Sequence, residues 1–477
     1  MAASLYTLSL LLIAGAVAQT CESNQLKVSY PAPIAADGWE YRLVAQGMKK
    51  PRSLLFDLDG ALIVLDAGVG ILRFTLQDNG GSCVSVAQNA TLLANKDLNH
   101  GLALSEDGKT IYASSQEDVY SWAYDSKSSS LSSDSRRTLI TNMTNEDHMT
   151  RTLLLSRKQP GTLIVSRGSD EDSDADAQVL NNGLSQIRKF DIGSLNDKSQ
   201  PFDFLEGDVL GWGLRNSVGV AENPVDGGIW SVENSVDEVT RNGEDIQLNN
   251  PGDELNFHGY VNGSAGSLRE VGGNYGYPLC YALWETDNFP SIGDLKTGDQ
   301  FPGGNIKTLS DATCKSDYVA PRLTFPAHTA PLDIKFNKDT TAAYISFHGS
   351  SCTLTRKTVN RKPPVGYRIA SVNFSNGQPT SASDSRDAAV DVLTTPDLDN
   401  CPGNCFRPVG MAWDSQDRMF FASDSTGEVF VLRRTDSSGG SSNTSSGSGS
   451  NDSAGASLFV PRIVVAVGAV IAGLLLA

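Results

Sequence analysis

Short apolar segments separated by turns recur along the chain, and no window shows a sustained period of 3.6 residues. Each recurring unit starts with a polar or small residue and continues as an apolar strand, a turn and a second apolar strand, often with a third. Turn signals such as Asp59-Gly60 and Asp107-Gly108 fall between the strands. Six units share this pattern, and they begin at Arg52 (RSLLFDLDGALIVLD), His100 (HGLALSEDGKTIYASS), Arg151 (RTLLLSRKQPGTLIVSRG), Asn216 (NSVGVAENPVDGGIWSVE), Thr329 (TAPLDIKFNKDTTAAYISFHG) and Pro408 (PVGMAWDSQDRMFFASD).

Units of about 40–50 residues with about four strands each are typical of propeller blades. The pattern therefore predicts an all-β fold, a six-bladed β-propeller that spans residues 19–434. The spacing widens after the fourth unit, where a Gly- and Asn-rich excursion occupies residues 240–325. Two stacked β-sandwiches are the main alternative, but they do not explain why one unit recurs six times.

The starts of the six units carry an unusual set of side chains. In a propeller the first strand of each blade lines the central channel, so equivalent strand starts converge at one mouth. The side chains near these starts are Arg52, His100, His148, Arg151, Arg215, Asn216, His328 and Arg407. Each of them alone can simply cap a blade, but like charges around one axis repel, and a bound anion would offset that repulsion. We therefore expect a planar or multiply charged anion in the mouth.

The overall charge limits the partners. The chain has 55 acidic and 38 basic residues and a formal net charge of −17. A field of this sign repels phosphate backbones and anionic lipid headgroups, so nucleic acid is not an expected partner.

The N-terminus predicts export from the cell. Residues 1–18 contain the apolar run LYTLSLLLIAGAVA, which ends in small residues at the −3 and −1 positions expected for cleavage before Gln19. A retained anchor is the alternative, but the run is short for a membrane span.

The C-terminus predicts a lipid anchor. Residues 435–455 form a Ser/Gly-rich linker, and residues 456–477 end in the apolar run IVVAVGAVIAGLLLA with no charge after it. This order is typical of a glycosylphosphatidylinositol (GPI) signal, with Asn451 or Ser453 as the attachment residue. A tail-anchored helix is the alternative, although 15 apolar residues are few for one. We expect a secreted protein held at the plasma membrane or cell wall.

Cysteines and glycosylation sequons agree with the secretory pathway. Sequons at Asn89, Asn142, Asn262 and Asn373 predict a glycoprotein. The seven cysteines are interpreted as disulfides, with Cys401–Cys405 and then Cys280–Cys314 as the expected pairs and one thiol left over. No pair of CxxC motifs and no HExxH motif occurs, so a zinc site is not expected.

Several longer motifs carry a family resemblance. The segments are GWGLRNSVGVAENPVDGGIWSVENSVDEV, NNPGDELNF and GGNYGYP, together with EDHMTRTLLLS, PAHTAPLDIKF, SFHGS, GYRIASVNF and RPVGMAW. In their order along the chain they resemble the soluble quinoprotein glucose and sorbosone dehydrogenases, and most closely the fungal pyranose dehydrogenases that use pyrroloquinoline quinone (PQQ). The resemblance covers roughly residues 40–434. It implies a six-bladed propeller, in agreement with the repeat count.

The resemblance implies an enzyme that oxidises a hydroxyl of a pyranose or ketoaldose. A base takes the hydroxyl proton while hydride passes to the quinone, and a calcium ion acts as a Lewis acid. By this resemblance His148 is the general base, Asp147 orients its imidazole, and His328 is the second candidate for the base. An imidazole suits this role because its ordinary pKa of about 6.5 lies near working pH.

The resemblance also implies where the cofactors bind. Arg215 and Asn216 match the pair that contacts the quinone, and Arg407 matches an arginine that binds a carboxylate. Arg52 and His100 match positions that line the pocket, and Arg151 joins them in the ring of cations. After SFHGS the chain departs from the family pattern with a longer basic loop, in which Arg361 stands as a replacement cation. Ca²⁺ is expected on the loop from Glu233 to Val236, held largely by the backbone carbonyls of Asn234, Ser235 and Val236.

Two other functions remain open from the sequence. One is a calcium-dependent lactonase on the same fold, and the other is a non-catalytic propeller that binds carbohydrate or cell wall. For the dehydrogenase, the partners are a sugar and a separate electron acceptor, either a haem protein, a copper enzyme or a small quinone. The acidic run from Asp170 to Asp174 is interpreted as a solvated turn, and His258 and His348 as structural residues.

Overall fold

A computed structural model of the chain describes residues 21, 26–196, 198–262, 270–304, 309–350 and 364–435. The predicted signal peptide, the linker after residue 435, the anchor signal, Cys352 and Arg361 lie outside these residues. In the described part, no helix is long and apolar enough to cross a membrane.

Six mostly antiparallel sheets surround a central axis, and we number them as blades 1 to 6 in chain order. Given from the innermost strand outward, blade 1 contains Pro51–Phe56, Leu62–Asp66, Gly70–Asp78 and Val84–Ala94. Blade 2 contains Leu102–Leu104, Thr110–Ser114, Val119–Asp125, Arg137–Thr141 and Phe202–Asp203, with Ser130–Leu131 beside its third strand. Blade 3 contains Leu153–Leu155, Thr162–Arg167, Gln186–Asp191, Asp208–Trp212 and Gly273–Asn274.

The second half of the chain builds the other three blades. Blade 4 contains Ser217–Glu222, Gly228–Glu233, Asp253–Tyr260 and Leu323–Phe325. Blade 5 contains Pro331–Phe336, Ala342–Phe347, Arg368–Ser375, Ala389–Thr394 and Ile34–Ala35, with Gln378–Pro379 beside its third strand. Blade 6 contains Pro408–Trp413, Met419–Ser423, Glu428–Arg434 and Trp39–Ala45. Each innermost strand begins within two residues of a unit start found in the sequence, so the prediction of a six-bladed β-propeller is confirmed.

Both ends of the folded body meet in blade 6. The outer strand Trp39–Ala45 pairs antiparallel with Glu428–Arg434, and Ile34–Ala35 extends blade 5 in the same way. The N-terminal segment thus closes the ring of blades on the last element of the body. The Cys21–Cys83 disulfide also fixes this segment to blade 1.

The hydrophobic core consists of layers between neighbouring blades. Alternate side chains of each strand face one neighbour or the other, which is why nearly every position of the middle strands is buried. Trp230 is completely buried between blades 4 and 5, with its ring 4.8 Å from Phe257 and 5.0 Å from Phe374. Replacing such a residue with alanine typically costs ~3–5 kcal/mol of folding free energy.

The predicted excursion over residues 240–325 is only partly separate from the blades, because it supplies the two outer strands of blade 4 and Gly273–Asn274 of blade 3. It forms two small ribbons, Thr240–Arg241 with Glu244–Asp245 and Cys280–Ala282 with Gln300–Pro302. The one α-helix of the described residues, Asp311–Asp317, is capped by the Ser310 hydroxyl and is joined to a ribbon by Cys280–Cys314. This disulfide and Cys401–Cys405 are the two pairs predicted from the sequence. Short 3₁₀ turns occur at Ser133–Ser135, Ala175–Gln178, Leu180–Asn182, Ile192–Ser194, Phe204–Glu206 and Leu398–Asn400.

Candidate functional site

The innermost strands of neighbouring blades approach closely, and their first residues meet at one mouth. The Ser53 hydroxyl of blade 1 donates a hydrogen bond of 2.6 Å to the His100 carbonyl before blade 2. A Cβ atom at Gly410 of blade 6 would lie 2.5 Å from the Arg52 carbonyl oxygen, so only glycine allows this approach. The side chains at these strand starts therefore share one site.

Asp424 binds side chains from two other blades on one side of this mouth. Its Oδ2 accepts a 2.6 Å hydrogen bond from Nη1 of Arg52, and its Oδ1 lies 2.8 Å from Nε2 of His348. All three side chains are largely buried. Burial alone would raise the pKa of Asp424, but His348 and Arg52 outweigh it and lower that pKa. Asp424 is therefore a carboxylate that two groups share.

His348 belongs to the mouth, which corrects the expectation that it is a structural residue within its repeat. Burial lowers the pKa of His348 to about 4, against the opposing effect of Asp424. Because a carboxylate accepts at Nε2, the neutral ring carries its proton on Nε2 and a lone pair on Nδ1. No other group of the described residues hydrogen bonds to that Nδ1.

Arg407 and His100 complete this side. Nε and Nη2 of Arg407 donate to the carbonyls of His348 and Gly349, at 3.2 and 2.6 Å. Within the described residues no carboxylate forms an ion pair with Arg407, and burial lowers its pKa. His100 accepts a 3.3 Å hydrogen bond from Nε of Arg52, and burial, with the charge of Arg52, holds the pKa of His100 well below its ordinary value. His100 is therefore neutral and Arg407 is the available cation.

Arg215, across the mouth, is held on several sides. Its Nη2 lies 2.6 Å from Oδ1 of Asp172, and its Nε donates to the Asp172 carbonyl at 3.0 Å. Its Nη1 donates to the carbonyls of Ser235 and Asn234, at 2.8 and 3.4 Å. These bonds fix the guanidinium and tie the acidic loop around Asp172 to the expected calcium loop. The acidic run from Asp170 to Asp174 is thus partly engaged with Arg215 rather than wholly solvated.

The structure corrects the expected role of Arg151. Its side chain is completely buried, and its guanidinium donates to the carbonyls of His148, Thr150 and Met143. Burial, with the nearby charge of Arg167, lowers the pKa of Arg151 to about 9. Arg151 holds the segment that carries His148, and it does not present its charge to a ligand.

The mouth is therefore less positive than the sequence indicated. Of its four arginines, Arg52 and Arg215 are paired with carboxylates and Arg151 is surrounded by carbonyls. Within the described residues, Arg151 and Arg407 both lack a carboxylate partner, but Arg151 is completely buried, so Arg407 is the one of the two that a ligand can reach. An anion would bind on the side of Arg407, Arg52 and His348.

His148 has the geometry of a general base. Its Nδ1 lies 3.0 Å from the carbonyl oxygen of Ser169 and 3.0 Å from the Ser169 hydroxyl. A carbonyl accepts only from N–H, so the proton is on Nδ1 and the Nε2 lone pair is available. Burial, followed by the charge of Arg215, lowers the pKa of His148, so the ring is neutral at neutral pH.

Two neighbours of His148 differ in their roles. Ser169 orients the ring, which corrects the expectation for Asp147: this aspartate is exposed and makes no hydrogen bond to the imidazole. Asn216 lies close on the other side, because a Cβ at Gly168 would be 2.7 Å from Cβ of His148 and 2.9 Å from Oδ1 of Asn216. Gly168 thus lets the two side chains meet.

His328 is a weaker candidate for the base. Its Nδ1 lies 3.3 Å from Asp237 and its Nε2 lies 2.6 Å from the Gln247 carbonyl, so both ring nitrogens are engaged. Burial alone would lower the pKa of His328, but the bonds to Asp237 and Gln247 raise it. An imidazole that favours the cationic form and lacks a free lone pair does not accept a proton readily.

The loop expected to bind calcium is built on Asp253. One carboxylate oxygen of Asp253 accepts from the Ser235 amide at 3.0 Å, and the other accepts from the Ala330 amide at 2.9 Å and the Thr329 hydroxyl at 2.8 Å. The Asn234 side chain donates to the Pro331 carbonyl at 2.7 Å, and Val236 buries its side chain. In the described part of the chain, no group of three or more His, Cys, Asp or Glu side chains is arranged to hold a metal.

Two buried glutamates lie beneath this loop. Nδ2 of Asn256 donates to Glu233 at 3.1 Å and to Glu254 at 2.9 Å, and the Arg215 amide donates to Glu233 at 2.6 Å. Burial, with the charge of Glu254, raises the pKa of Glu233 well above its ordinary value, and burial raises that of Glu254 to about 7. They support the loop and Arg215 from below.

The channel beneath the mouth holds a cavity of ≈ 70 Å³, lined in part by His100, Ser53, Thr152, Asp333 and Lys335. Asp333 and Lys335 form an ion pair of 2.6 Å within it. The cavity is polar and large enough for water.

The sequence analysis missed Asp424, Asp172, Asp253 and the place of His348 in the mouth. A signal was present for Asp424, which follows the second strand of its unit in FFASD. The second strands of two other units also end in an acidic residue, Asp66 in IVLD and Glu233 in SVE, so aligning strand ends as well as strand starts would have drawn attention to this region.

Comparison with known proteins identifies the family of the chain. Residues 33–435 match the sequence model of the TrAA12-like family. The chain is similar to a pyrroloquinoline quinone-dependent sugar dehydrogenase of Hypocrea jecorina, with 54% identity over 433 residues that cover 90% of this chain and 96% of the relative. It is also 37% identical over 415 residues to a pyrroloquinoline quinone-dependent pyranose dehydrogenase of Coprinopsis cinerea. That match covers 84% of this chain but 54% of the relative, so the chain spans about half its length.

A solved structure agrees with the fold. The chain is similar to the calcium structure of a family AA12 protein from Trichoderma reesei, with 56% identity and a TM-score of 0.83. The match covers 87% of this chain and 100% of that one. The family resemblance inferred from the sequence motifs is therefore confirmed.

Proposed function

Because the chain belongs to the TrAA12-like family, whose sequence model matches residues 33–435, we propose that it is a pyrroloquinoline quinone-dependent sugar dehydrogenase. It oxidises a hydroxyl group of a sugar, and the sugar is bound at the mouth of the propeller. The relative that is 54% identical supports this activity, since the match covers 96% of it. The proposed reaction does not depend on the roles of Asp147 and Arg151, because neither residue supplies the base.

One observation in the structure carries the proposal: the imidazole of His148 is neutral, and its Nε2 has no hydrogen-bond partner among the residues that the structure describes. Ser169 fixes the His148 proton on Nδ1, and Nε2 is left with its lone pair. That nitrogen takes the proton of the sugar hydroxyl as the C–H hydrogen leaves as hydride. Arg151 holds the His148 carbonyl and so fixes the segment on which the base stands.

The residues present fit the quinone. It is a planar tricarboxylate, and Arg407, without a carboxylate partner among the described residues, offers a guanidinium for a bidentate contact. Arg52 and His348, held by Asp424, adjoin Arg407 and would contact the same ligand. Arg215 and Asn216 would face it from the side of His148.

The residues also fit calcium. The Asn234 and Ser235 carbonyls already accept from the cationic guanidinium of Arg215, so these oxygens favour positive charge. Such neutral, hard oxygen donors suit Ca²⁺, and Asp253 fixes the loop that presents them. When bound, the quinone supplies the hydride acceptor and Ca²⁺ polarises its carbonyl.

The site favours this function over the two alternatives. A metal-dependent lactonase needs carboxylate or imidazole ligands grouped in the channel, and the described residues contain no such group. A non-catalytic binding protein has no need of an imidazole whose tautomer is fixed and whose other nitrogen is free. The reduced cofactor requires a separate electron acceptor, for which we propose a haem protein, a copper enzyme or a small quinone.

We further propose that the protein is secreted, glycosylated and held at the cell surface by a GPI anchor. The apolar segments at both termini support this proposal. So do the exposed asparagines of all four sequons, Asn89, Asn142, Asn262 and Asn373, and the three disulfides.

The test is reduction of a dye acceptor by the purified protein. Loaded with the quinone and Ca²⁺, it should reduce the dye when a pyranose or ketoaldose substrate is added, and it should not do so without the quinone. Quinone binding without oxidation of any sugar across a broad panel would favour the binding protein instead.

A further inference from the structure

We propose that Asp424 is a positioning residue: its one carboxylate fixes both the tautomer of His348 and the position of Arg52. It thereby builds the side of the mouth that receives an anionic ligand. This role for Asp424 is independent of which sugar is oxidised. The part that concerns quinone affinity rests on the proposed function.

Each carboxylate oxygen of Asp424 binds one of the two partners, Arg52 and His348. Oδ2 of Asp424 accepts from Arg52 at 2.6 Å and Oδ1 accepts from His348 at 2.8 Å, which leaves neither oxygen unpaired. The Asp424 side chain is 3% exposed, and those of Arg52 and His348 are 9% and 15% exposed. Burial strengthens both charge-assisted bonds, because water does not compete for the carboxylate.

The three residues come from three different blades. Arg52 begins blade 1, His348 follows the second strand of blade 5, and Asp424 follows the second strand of blade 6. Arg407 is joined to the group through the His348 carbonyl, which accepts from its Nε at 3.2 Å. Because Asp424 fixes the position of His348, it also helps to hold the guanidinium of Arg407 in place.

The chemical consequence concerns the two nitrogens of His348. A carboxylate is only an acceptor, so Nε2 must carry a proton, and in the neutral ring Nδ1 then carries the lone pair. With its Nδ1 lone pair, His348 can accept a hydrogen bond from a ligand N–H or O–H, while Arg52 and Arg407 receive its carboxylates. Without Asp424 the ring could adopt the other tautomer and turn a donor toward the same ligand.

The substitution Asp424→Asn tests whether the carboxylate fixes the tautomer of His348, because it leaves the shape of the side chain almost unchanged. Arg52 only donates, so the amide oxygen of Asp424→Asn must face Arg52 and the amide NH₂ must face His348. Nε2 of His348 then has to accept, and its proton has to move to Nδ1. A purely structural role for Asp424 would not move this proton.

The measurement is ¹⁵N NMR of the protein labelled at histidine, which gives a simple spectrum because the chain has 5 histidines. The His348→Gln variant assigns the signal. In the unmutated protein at pH 7, His348 should be neutral with its proton on Nε2, and in Asp424→Asn the proton should be on Nδ1. An Nδ1–H tautomer or an imidazolium in the unmutated protein overturns the proposal, whether or not the variant folds.

The second readout is the affinity for pyrroloquinoline quinone, measured by quenching of tryptophan fluorescence. Asp424→Asn should bind the quinone on the order of 10- to 100-fold more weakly, by analogy with the loss of an outer partner of a metal-binding histidine. The control is Asp391→Asn, which removes the same charge from a more exposed ion pair with Arg368 in blade 5 and should bind as the unmutated protein does.

The two failures are distinguishable. If the unmutated protein binds no quinone, the proposed function fails and the tautomer of His348 still decides the role of Asp424. If the unmutated protein and Asp424→Asn bind quinone equally, and His348 keeps its proton on Nε2 in both, Asp424 does not position this site.

Discussion

Nη2 of Arg215 lies 2.6 Å from the carboxylate of Asp172, and the backbone carbonyl of the same aspartate accepts from Nε at 3.0 Å. This pair joins two loops that meet at the mouth: the acidic loop of blade 3 and the loop of Asn234 and Ser235 that follows blade 4's second strand. Arg215 therefore both carries charge and holds the expected calcium loop in place.

Replacing Arg215 with alanine should weaken quinone binding. The change removes a charge-assisted contact, typically worth about 1.5–3 kcal/mol, and leaves the carboxylate of Asp172 unpaired near an anionic ligand. Fluorescence titration should show quinone binding that is ~10- to 150-fold weaker. The control is Arg433→Ala, whose ion pair with Glu40 lies at the end of blade 6 opposite to Ser423 and Asp424. Equal affinity of Arg215→Ala and the unmutated protein would mean that Arg215 does not serve the quinone.

Removal of calcium should abolish the activity. Chelation of the quinone-loaded protein should stop dye reduction, and added Ca²⁺ should restore it. Asp253→Asn should require on the order of 10- to 100-fold more Ca²⁺, because the carboxylate that fixes the Ser235 amide is lost. Full activity after chelation, with no metal in the protein, would remove calcium from the mechanism.

The fold was predictable because the pattern that specifies it is local. A strand start, an apolar strand and a turn follow one another within each unit, so six blades could be counted from the sequence alone. The Cys401–Cys405 pair was equally accessible, since the two residues are 4 positions apart.

The partners of the mouth residues were not predictable in this way. Arg52 and Asp424 are 372 positions apart and meet only because blade 6 closes the ring beside blade 1. Arg215 and Asp172 are 43 positions apart, and they also come together only in the folded protein, where their two loops meet at the mouth. Strand starts could be aligned between units, but the ion pairs between blades depend on loop paths that carry no repeating signal. For that reason the sequence predicted a ring of unpaired cations, whereas in the structure Arg52 and Arg215 form ion pairs with Asp424 and Asp172.

The pH dependence of the reaction should reflect the environment of His148. The base acts in its neutral form, so kcat/KM falls as pH drops through its pKa. Burial and the charge of Arg215 lower that pKa, and the acid limb of kcat/KM should therefore lie below the ordinary histidine value of about 6.5. Activity should be constant from there through neutral pH. In Arg215→Ala the limb should move to higher pH, and a limb above the ordinary histidine value in the unmutated protein would contradict a neutral, buried base.

Release from cells tests the proposed anchor. Phosphatidylinositol-specific phospholipase C cleaves GPI lipids whose inositol is not acylated, so it should release the protein from intact cells. A variant that ends at residue 455 lacks the apolar tail and should appear in the medium without the enzyme. Full release of the natural protein by salt or mild alkali would contradict a covalent lipid.

His148 and His328 offer a direct comparison of the two candidate bases. Both imidazoles were predicted at the mouth, but one nitrogen of His148 has no hydrogen-bond partner among the described residues, whereas both nitrogens of His328 are bonded. Replacing either with alanine leaves Arg52, Arg407 and Asp424 in place, so both variants should still bind the quinone. Quinone titration of each variant is therefore the control for the kinetic measurement.

The decisive measurement is turnover of a sugar substrate by His148→Ala loaded with quinone and Ca²⁺. Loss of a positioned general base typically lowers turnover by about 10²–10⁴, so we predict a fall of this size with quinone affinity unchanged, and a much smaller fall for His328→Ala. If His148→Ala keeps the turnover of the unmutated protein, His148 is not the base, and the proposed reaction at this mouth is contradicted.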